Sequence, residues 1–154
     1  MRNVLFLCTG NSARSILAEA MLNDRAVGRG RFRAFSAGSH PKGSVHPLAF
    51  EVLAEHQVST YDLRSKNWGD FAGPDAPRMD FVFTVCDAAA REPCPLWPGR
   101  PVTAHWSVPD PAAVTGSDIV RRAAFLDAFL LVRRHLKTFV GDTADGIADS
   151  ATDP

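Results

Sequence analysis

The feature that most constrains the fold lies at the start of the chain, where an apolar run leads directly into a polar turn. Residues 4–7 are consecutively apolar and indicate a short buried strand. The turn-forming residues 8–12 follow, and from Ala13 apolar residues recur at helical spacing up to a break near residues 28–30. A strand, a short loop and a helix in this order predict an α/β unit with the loop at the carboxyl end of the strand.

The rest of the chain repeats this alternation. The pattern predicts further strands at residues 31–36, 81–85 and 102–105, and helices that begin at Pro47, span 65–71 and span 117–135. We therefore expect one α/β domain over residues 1–140, with three layers and a central four-stranded parallel sheet flanked by helices. Residues 141–154 are acidic and rich in small side chains, which predicts a disordered tail.

Composition limits the classes of function. The chain has 17 basic and 17 acidic residues, so a broad nucleic-acid or membrane-binding surface is not expected. The first apolar run is too short for an export signal or a membrane span, which predicts a cytoplasmic protein. Three cysteines in a reducing compartment favour catalytic or redox use over a structural disulfide. The five histidines show no metal-ligand spacing, so no metal site is expected.

The first loop carries the strongest chemical signal. A glycine-containing loop between a strand and a helix turns backbone N–H groups towards a common centre and makes an anion site. An arginine adds a bidentate contact to an oxyanion, and its positive field favours a nearby thiolate. The alternative is a buried, inert cysteine beside a solvated arginine. The predicted oxyanion-binding loop consists of the nucleophile Cys8 followed by Thr9, Gly10, Asn11, Ser12, Ala13, Arg14 and Ser15.

A second cysteine is expected at the same edge of the sheet. Cys86 follows the predicted strand 81–85, as Cys8 follows the first strand, and parallel strands end at a common edge. Cys94 lies seven intervening residues later, beyond a helix-prone segment, 87–93, that is short enough to unwind at little cost. The alternative interpretation makes Cys86 and Cys94 small core residues.

The loop as a whole resembles that of the low-molecular-weight protein tyrosine phosphatase fold family, and most of all that of the arsenate reductases that share this fold. The resemblance extends over residues 4–138 and includes Ser36-Ala37-Gly38, Asp110-Pro111 and the segment from Cys86 to Cys94. It implies that Cys8 is the nucleophile, Arg14 the oxyanion clamp and Asp110 the general acid. It further implies that Asn11 holds the shape of the loop and that Ser15 stabilises the thiolate. Taken alone, an aspartate before proline is as readily a turn residue.

The same resemblance implies the reaction. Cys8 would attack arsenate, Cys86 would displace arsenite by forming a disulfide with Cys8, and Cys94 would take over the disulfide. An external thiol reductant would restore the thiols, and thioredoxin is preferred over glutathione or mycothiol systems. The protein is expected to be a monomer and to bind no cofactor. Hydrolysis of phosphomonoesters through a Cys8 phosphoenzyme is the alternative, and a non-catalytic oxyanion-binding module is the third. Ala112 and Ala113 after Asp110-Pro111 offer no aromatic wall for a phosphotyrosine ring.

Three residues are expected to support the loop. In some reductases of this type a potassium site braces the loop, and Asn11, Glu19 and Ser36 match its ligand positions. Lys66 stands at the remaining carboxylate position, so its ammonium group could replace the cation and pair with Glu19. A solvated Lys66 is the alternative.

Overall fold

The computed structural model describes residues 1–93, 95 and 97–144. Strands and helices alternate along this part of the chain. The strands are β1 (Arg2–Leu7), β2 (Phe32–Ala37), β3 (Phe81–Thr84) and β4 (Val102–His105). The helices are α1 (Arg14–Asn23), α2 (Arg25–Gly28), α3 (Pro47–Glu55), α4 (Asp87–Arg91) and α5 (Asp118–Ala144), with 3-10 turns at Trp68–Phe71 and Pro111–Ala113.

The four strands form one parallel sheet in the order β2-β1-β3-β4. Successive side chains of β1 point to opposite faces, as the pleat of a strand requires. Val4 and Phe6 join the larger core, which α1, α3 and α5 cover, whereas Leu5 and Leu7 join a smaller core on the other face. All four are at most 1% exposed, which explains why this strand reads as a continuous apolar run.

The expected fold class is confirmed. The sheet has four parallel strands with an element layer on each face, and its carboxyl edge collects the loops that follow all four strands. The smaller core is covered by the 3-10 turn at Trp68–Phe71 and by Trp97. The rings of Trp68 and Trp97 meet edge to face, with their centroids 6.4 Å apart. This edge carries the candidate functional residues.

Two predicted helices differ from the observed ones. The first breaks after Asn23, whose side-chain amide exchanges two hydrogen bonds with the backbone of Ala34 in β2 and so ties the helix end to the sheet. The helix predicted over 65–71 is wrong in its first half, where the backbone of Lys66 donates to the Asn11 side chain and accepts from Gly38. Because these long-range partners take the polar groups of that segment, only a 3-10 turn remains.

Helix α5 runs beyond the end that the pattern predicts at residue 135 and continues to Ala144. Thr143, near its end, is 2% exposed, and its hydroxyl donates to the carbonyl of Phe139. The first residues assigned to the tail, 141–144, are therefore helical. The rest of the tail lies outside the described residues, and its disorder stays a prediction. No helix in the described part of the chain is long and apolar enough to cross a membrane.

Candidate active site

The loop between β1 and α1 is held in shape by Asn11. This residue has a φ of 43°, in the left-handed region that asparagine tolerates better than most residues, and its side chain is fully buried. Its amide nitrogen donates to the hydroxyl oxygens of Ser15 at 2.8 Å and Ser36 at 2.9 Å. Its amide oxygen accepts from the N–H of Lys66 at 2.7 Å. Asn11 therefore ties the loop to α1, β2 and the segment before the first 3-10 turn.

The outer side of the loop is fixed by the segment that follows β2. The N–H groups of His40, Lys42 and His46 donate to the carbonyls of Thr9, Gly10 and Ser12, each at 2.9 Å. Across a trans peptide bond, a carbonyl and the next N–H point in opposite directions. With these carbonyls turned outward, the N–H groups of residues 10, 11 and 13 are turned inward, which is the arrangement an oxyanion needs.

The inward side of the loop opens into a cleft of about 330 Å³. Cys8 lies in its wall, and Arg14 and Asp110 line it together. Arg14 donates to the carbonyl of Val108 at 3.1 Å and lies 3.8 Å from the carboxylate of Asp110. That carboxylate also accepts the N–H of Ala112 at 3.0 Å, so Asp110 both caps the second 3-10 turn and faces the oxyanion position. The turn role and a chemical role are thus compatible.

Cys86 lies against the same loop, as the shared sheet edge predicts. It caps the N-terminus of α4, and its sulfur accepts the N–H groups of Ala89 and Thr9, each at 3.4 Å. Cys8 and Cys86 are both free cysteines, and both are buried, at 4% and 1% exposed. Cys94 lies outside the described residues.

The charge of this thiol pair differs from expectation. The hydrogen bond with Cys86 and then burial raise the pKa of Cys8 far above its ordinary value, although Arg14 and the N–H of Gly10 act to lower it. The hydrogen bond with Cys8 lowers the pKa of Cys86 to about 5, helped by the N–H groups of Ala89 and Thr9. Arg14 and the loop therefore act on Cys8 in the expected direction, but the neighbouring thiol and burial outweigh them, because the two buried thiols share one proton and a second buried charge is disfavoured.

The predicted support residues do come together. Glu19 accepts from the hydroxyl of Ser36 at 2.5 Å and lies 3.5 Å from the ammonium of Lys66. The Lys66 side chain is only 10% exposed, so the solvated alternative is wrong. Burial raises the pKa of Glu19 and lowers the pKa of Lys66, while each group opposes the shift of the other. In the part of the chain that the structure describes, no cluster of three or more His, Cys, Asp or Glu could hold a metal ion.

Several site residues were missed at the level of sequence. His40 and Lys42 line the cleft, and Glu92 accepts the hydroxyl of Thr9 at 2.9 Å. The first two follow β2, the neighbour of β1, so the common edge of the sheet was the available signal. His105, at the end of β4, pairs with Asp87 at 2.8 Å. Trp106 stacks on Phe83 away from the cleft.

Comparison with known proteins agrees with this geometry. A family model described as low molecular weight phosphotyrosine protein phosphatase matches residues 3–142. An arsenate reductase of Halalkalibacterium halodurans is 31% identical over 136 residues, which cover 88% of this chain and 93% of the relative. The solved arsenate reductase of Archaeoglobus fulgidus superposes with a TM-score of 0.69 at 25% identity, covering 90% of this chain and 98% of that one. A thioredoxin-dependent arsenate reductase of Corynebacterium glutamicum gives a TM-score of 0.60 at 26% identity, covering 90% of this chain and 61% of the other. The sheet order, the phosphate-type loop and the extent of these matches together mean that this chain belongs to the low molecular weight phosphotyrosine protein phosphatase family.

Proposed function

We propose that this protein reduces arsenate to arsenite, with Cys8 as nucleophile and Cys86 and Cys94 as the thiol relay. One observation carries the proposal: the sulfur of Cys86 lies on the oxyanion loop and accepts, at 3.4 Å, the N–H of Thr9, the residue that follows Cys8. Hydrolysis of a phosphoenzyme by water has no use for a second thiol at that place, whereas reduction needs two electrons from a pair of thiols. The arsenate reductases among the relatives support the same choice.

In the first step arsenate occupies the cleft, held by the inward N–H groups of the loop and by the guanidinium of Arg14. The shared proton passes from Cys8 to Cys86, which leaves the negative charge on Cys8. The Cys8 sulfur then attacks arsenic and forms an S–As bond. Asp110 protonates the displaced oxygen, which departs as water.

In the second step Cys86 attacks the sulfur of Cys8. An S–S bond forms, the S–As bond breaks, and its electron pair stays on arsenic, which passes from the +5 to the +3 state and leaves as arsenite. The proton of Cys86 goes to an arsenic oxygen. Cys8 and Cys86 are oxidised together, so electrons balance without a bound cofactor.

In the third step Cys94 attacks the sulfur of Cys86 and releases Cys8 as a thiolate. Helix α4 has five residues between Cys86 and the turn at Glu92, which is too short to be stable alone, so it can unwind while the sulfurs approach. An external dithiol, for which thioredoxin is the proposed donor, reduces the Cys86–Cys94 disulfide. We place this chemistry in the cytoplasm, where such donors are kept reduced.

Arsenate-dependent oxidation of NADPH in the presence of thioredoxin and thioredoxin reductase tests the proposal. Cys86→Ser should abolish turnover, and Cys8→Ser is the control that should abolish both reduction and any hydrolysis of p-nitrophenyl phosphate. If the wild-type protein oxidises no NADPH with any thiol donor system, the reductase assignment is wrong.

Phosphomonoester hydrolysis is the second candidate, because Cys8, Arg14 and Asp110 line one cleft and suffice for a phosphoenzyme. Phosphate and arsenate share shape and charge, so weak hydrolysis is compatible with either function. If hydrolysis is the function, Cys86→Ser should leave the rate of phosphomonoester hydrolysis unchanged, and the wild-type protein should show no turnover with arsenate.

Lys66 is proposed to stand where related reductases use potassium. Its ammonium lies 3.5 Å from Glu19, which in turn accepts from Ser36 beside Asn11, so a protein cation neutralises the buried carboxylate. Replacing sodium with potassium in the assay should leave activity unchanged. A marked rise with potassium would contradict this role.

A further inference from the structure

The cleft over the oxyanion loop contains a lysine as well as Arg14. Lys42, from the segment that follows β2, lines this cleft together with Arg14 and Asp110. The backbone N–H of Lys42 donates to the carbonyl of Gly10 at 2.9 Å. The main chain of Lys42 is therefore fixed relative to the loop that would hold the oxyanion.

The side chain of Lys42 lies against Gly10. A Cβ atom added to Gly10 would lie 3.2 Å from Cε and 3.3 Å from Cγ of Lys42, so the lysine stem extends across the side of residue 10 that has no side chain. The loop thus supports the stem as far as its last carbon. Because the ammonium group is one bond beyond Cε, it lies at the rim of the cleft.

The other cationic side chains of the cleft have carboxylate partners. Arg14 lies 3.8 Å from Asp110, and His40 lies 3.8 Å from Glu92. Within residues 1–93, 95 and 97–144, Lys42 has no ion-pair partner. A phosphate-like anion brings up to about two negative charges at neutral pH into a cleft that already contains a carboxylate. Lys42 is therefore the cation of the cleft lining whose charge is not already offset.

We propose that Lys42 is a substrate-binding residue whose ammonium group contacts an oxygen of the bound tetrahedral oxyanion and offsets its second negative charge. This role rests on the proposed function, in which the cleft binds arsenate. The guanidinium of Arg14 is planar and can fix two oxygens at once, whereas an ammonium on a flexible stem acts as a point charge that can follow a third. Because the contact would exist before and during the attack by Cys8, its loss should raise the KM for arsenate more than it lowers kcat.

Calorimetric titration with inorganic phosphate tests this role. The full-length reduced chain is titrated at constant ionic strength as the wild type, Lys42→Met, Lys42→Arg and Lys137→Met. Lys42→Met keeps an unbranched stem and removes the charge, so the Kd for phosphate should rise about tenfold, the effect of losing one hydrogen bond between charged groups. Lys42→Arg keeps the charge and should recover most of the lost affinity.

Lys137→Met is the matched control for the loss of one positive charge. Lys137 is an exposed residue of α5 that does not line the cleft, so its replacement should leave the Kd for phosphate unchanged. Urea denaturation checks that each variant is folded, and Lys42→Gln takes the place of Lys42→Met if that variant is unstable.

Equal Kd values for Lys42→Met and Lys137→Met would overturn the proposal. An equal loss of affinity in Lys42→Arg and Lys42→Met would overturn it as well, because the stem and not the charge would then support the site. Failure of the wild type to bind phosphate would contradict this role and the proposed function together. The titration contains no arsenate, so the expected rise in Kd in a protein that reduces no arsenate would contradict the proposed function alone.

Discussion

Replacing Gly38 with alanine should displace the oxyanion loop. A Cβ atom at this position would lie 2.4 Å from the carbonyl oxygen of Thr9 and 2.6 Å from that of Cys8, where contacts of about 3.4 Å are ordinary. Both obstacles are main-chain atoms and cannot rotate away as a side chain would. The loop, or the strand end that carries Gly38, must therefore move by about 1 Å.

The loop is the part that has to move. Gly38 is held from the other side, because its N–H donates to the carbonyl of Lys66 and its carbonyl accepts the N–H of Trp68, both at 2.9 Å. We expect a loss of about 1–3 kcal/mol in the free energy of unfolding, the usual range for overpacking a tight site. A shift of about 1 Å at the anion site should also lower turnover by on the order of 100-fold.

Urea denaturation measures the first effect, and calorimetric titration with phosphate together with arsenate turnover measures the second. Gly73→Ala is the matched control, since a Cβ there meets nothing within 4 Å. The reasoning is refuted if the unfolding free energy of Gly38→Ala lies within 0.5 kcal/mol of that of Gly73→Ala, which is the ordinary spread for a surface change, and if the two variants bind phosphate equally tightly.

Three further predictions concern the supporting structure. Glu19→Gln and Lys66→Met should each cost about 3 kcal/mol in urea denaturation because each leaves a buried partner unpaired, while the double variant should lose much less than the sum. Additive losses would contradict the pairing. Gly141→Ala should stabilise the protein by about 0.5–1 kcal/mol because residue 141 lies within α5, and the absence of any change would indicate that the tail begins there. Asp110→Asn keeps the oxygen that accepts the N–H of Ala112 but cannot supply a proton, so turnover should fall by about 10²–10⁴-fold with stability unchanged. Turnover that survived the change would exclude Asp110 as the acid.

The parts of the fold that sequence predicts are those with strong local patterns. The buried strands at β1 and β3 and the long helix α5 follow from apolar runs and helical spacing. The break after Asn23 and the extended backbone at Lys66 do not, because their hydrogen-bond partners lie on distant segments, Ala34 and Asn11. A local pattern contains no information about a partner elsewhere in the chain.

The candidate site divides in the same way. Cys8, Arg14 and Cys86 are predictable because they follow strands that end at one edge. The cleft residues His40 and Lys42 carry no motif of their own, and they reach the site through backbone hydrogen bonds to the loop. The charge of the thiol pair cannot be predicted from a local pattern either, since it depends on a proton shared by Cys8 and Cys86, which are 78 residues apart in the sequence.

The order of the strands explains why this edge suits a thiol relay. β1 and β3 are neighbours about 4.8 Å apart, with Leu7 paired to Thr84, so Cys8 lies one residue and Cys86 two residues beyond the last paired positions. A disulfide needs Cα atoms about 4.4–6.8 Å apart, which neighbouring strands provide with little movement. A thiol placed directly after β4 would begin two spacings from β1, about 10 Å away, and could not bridge to Cys8 without a large displacement. Asp110 follows β4 and lines the cleft, and Arg14 donates to the carbonyl of Val108 in the same loop. An acid needs no covalent bond to Cys8 and can come from the outer strand, whereas the second thiol has to follow the adjacent one.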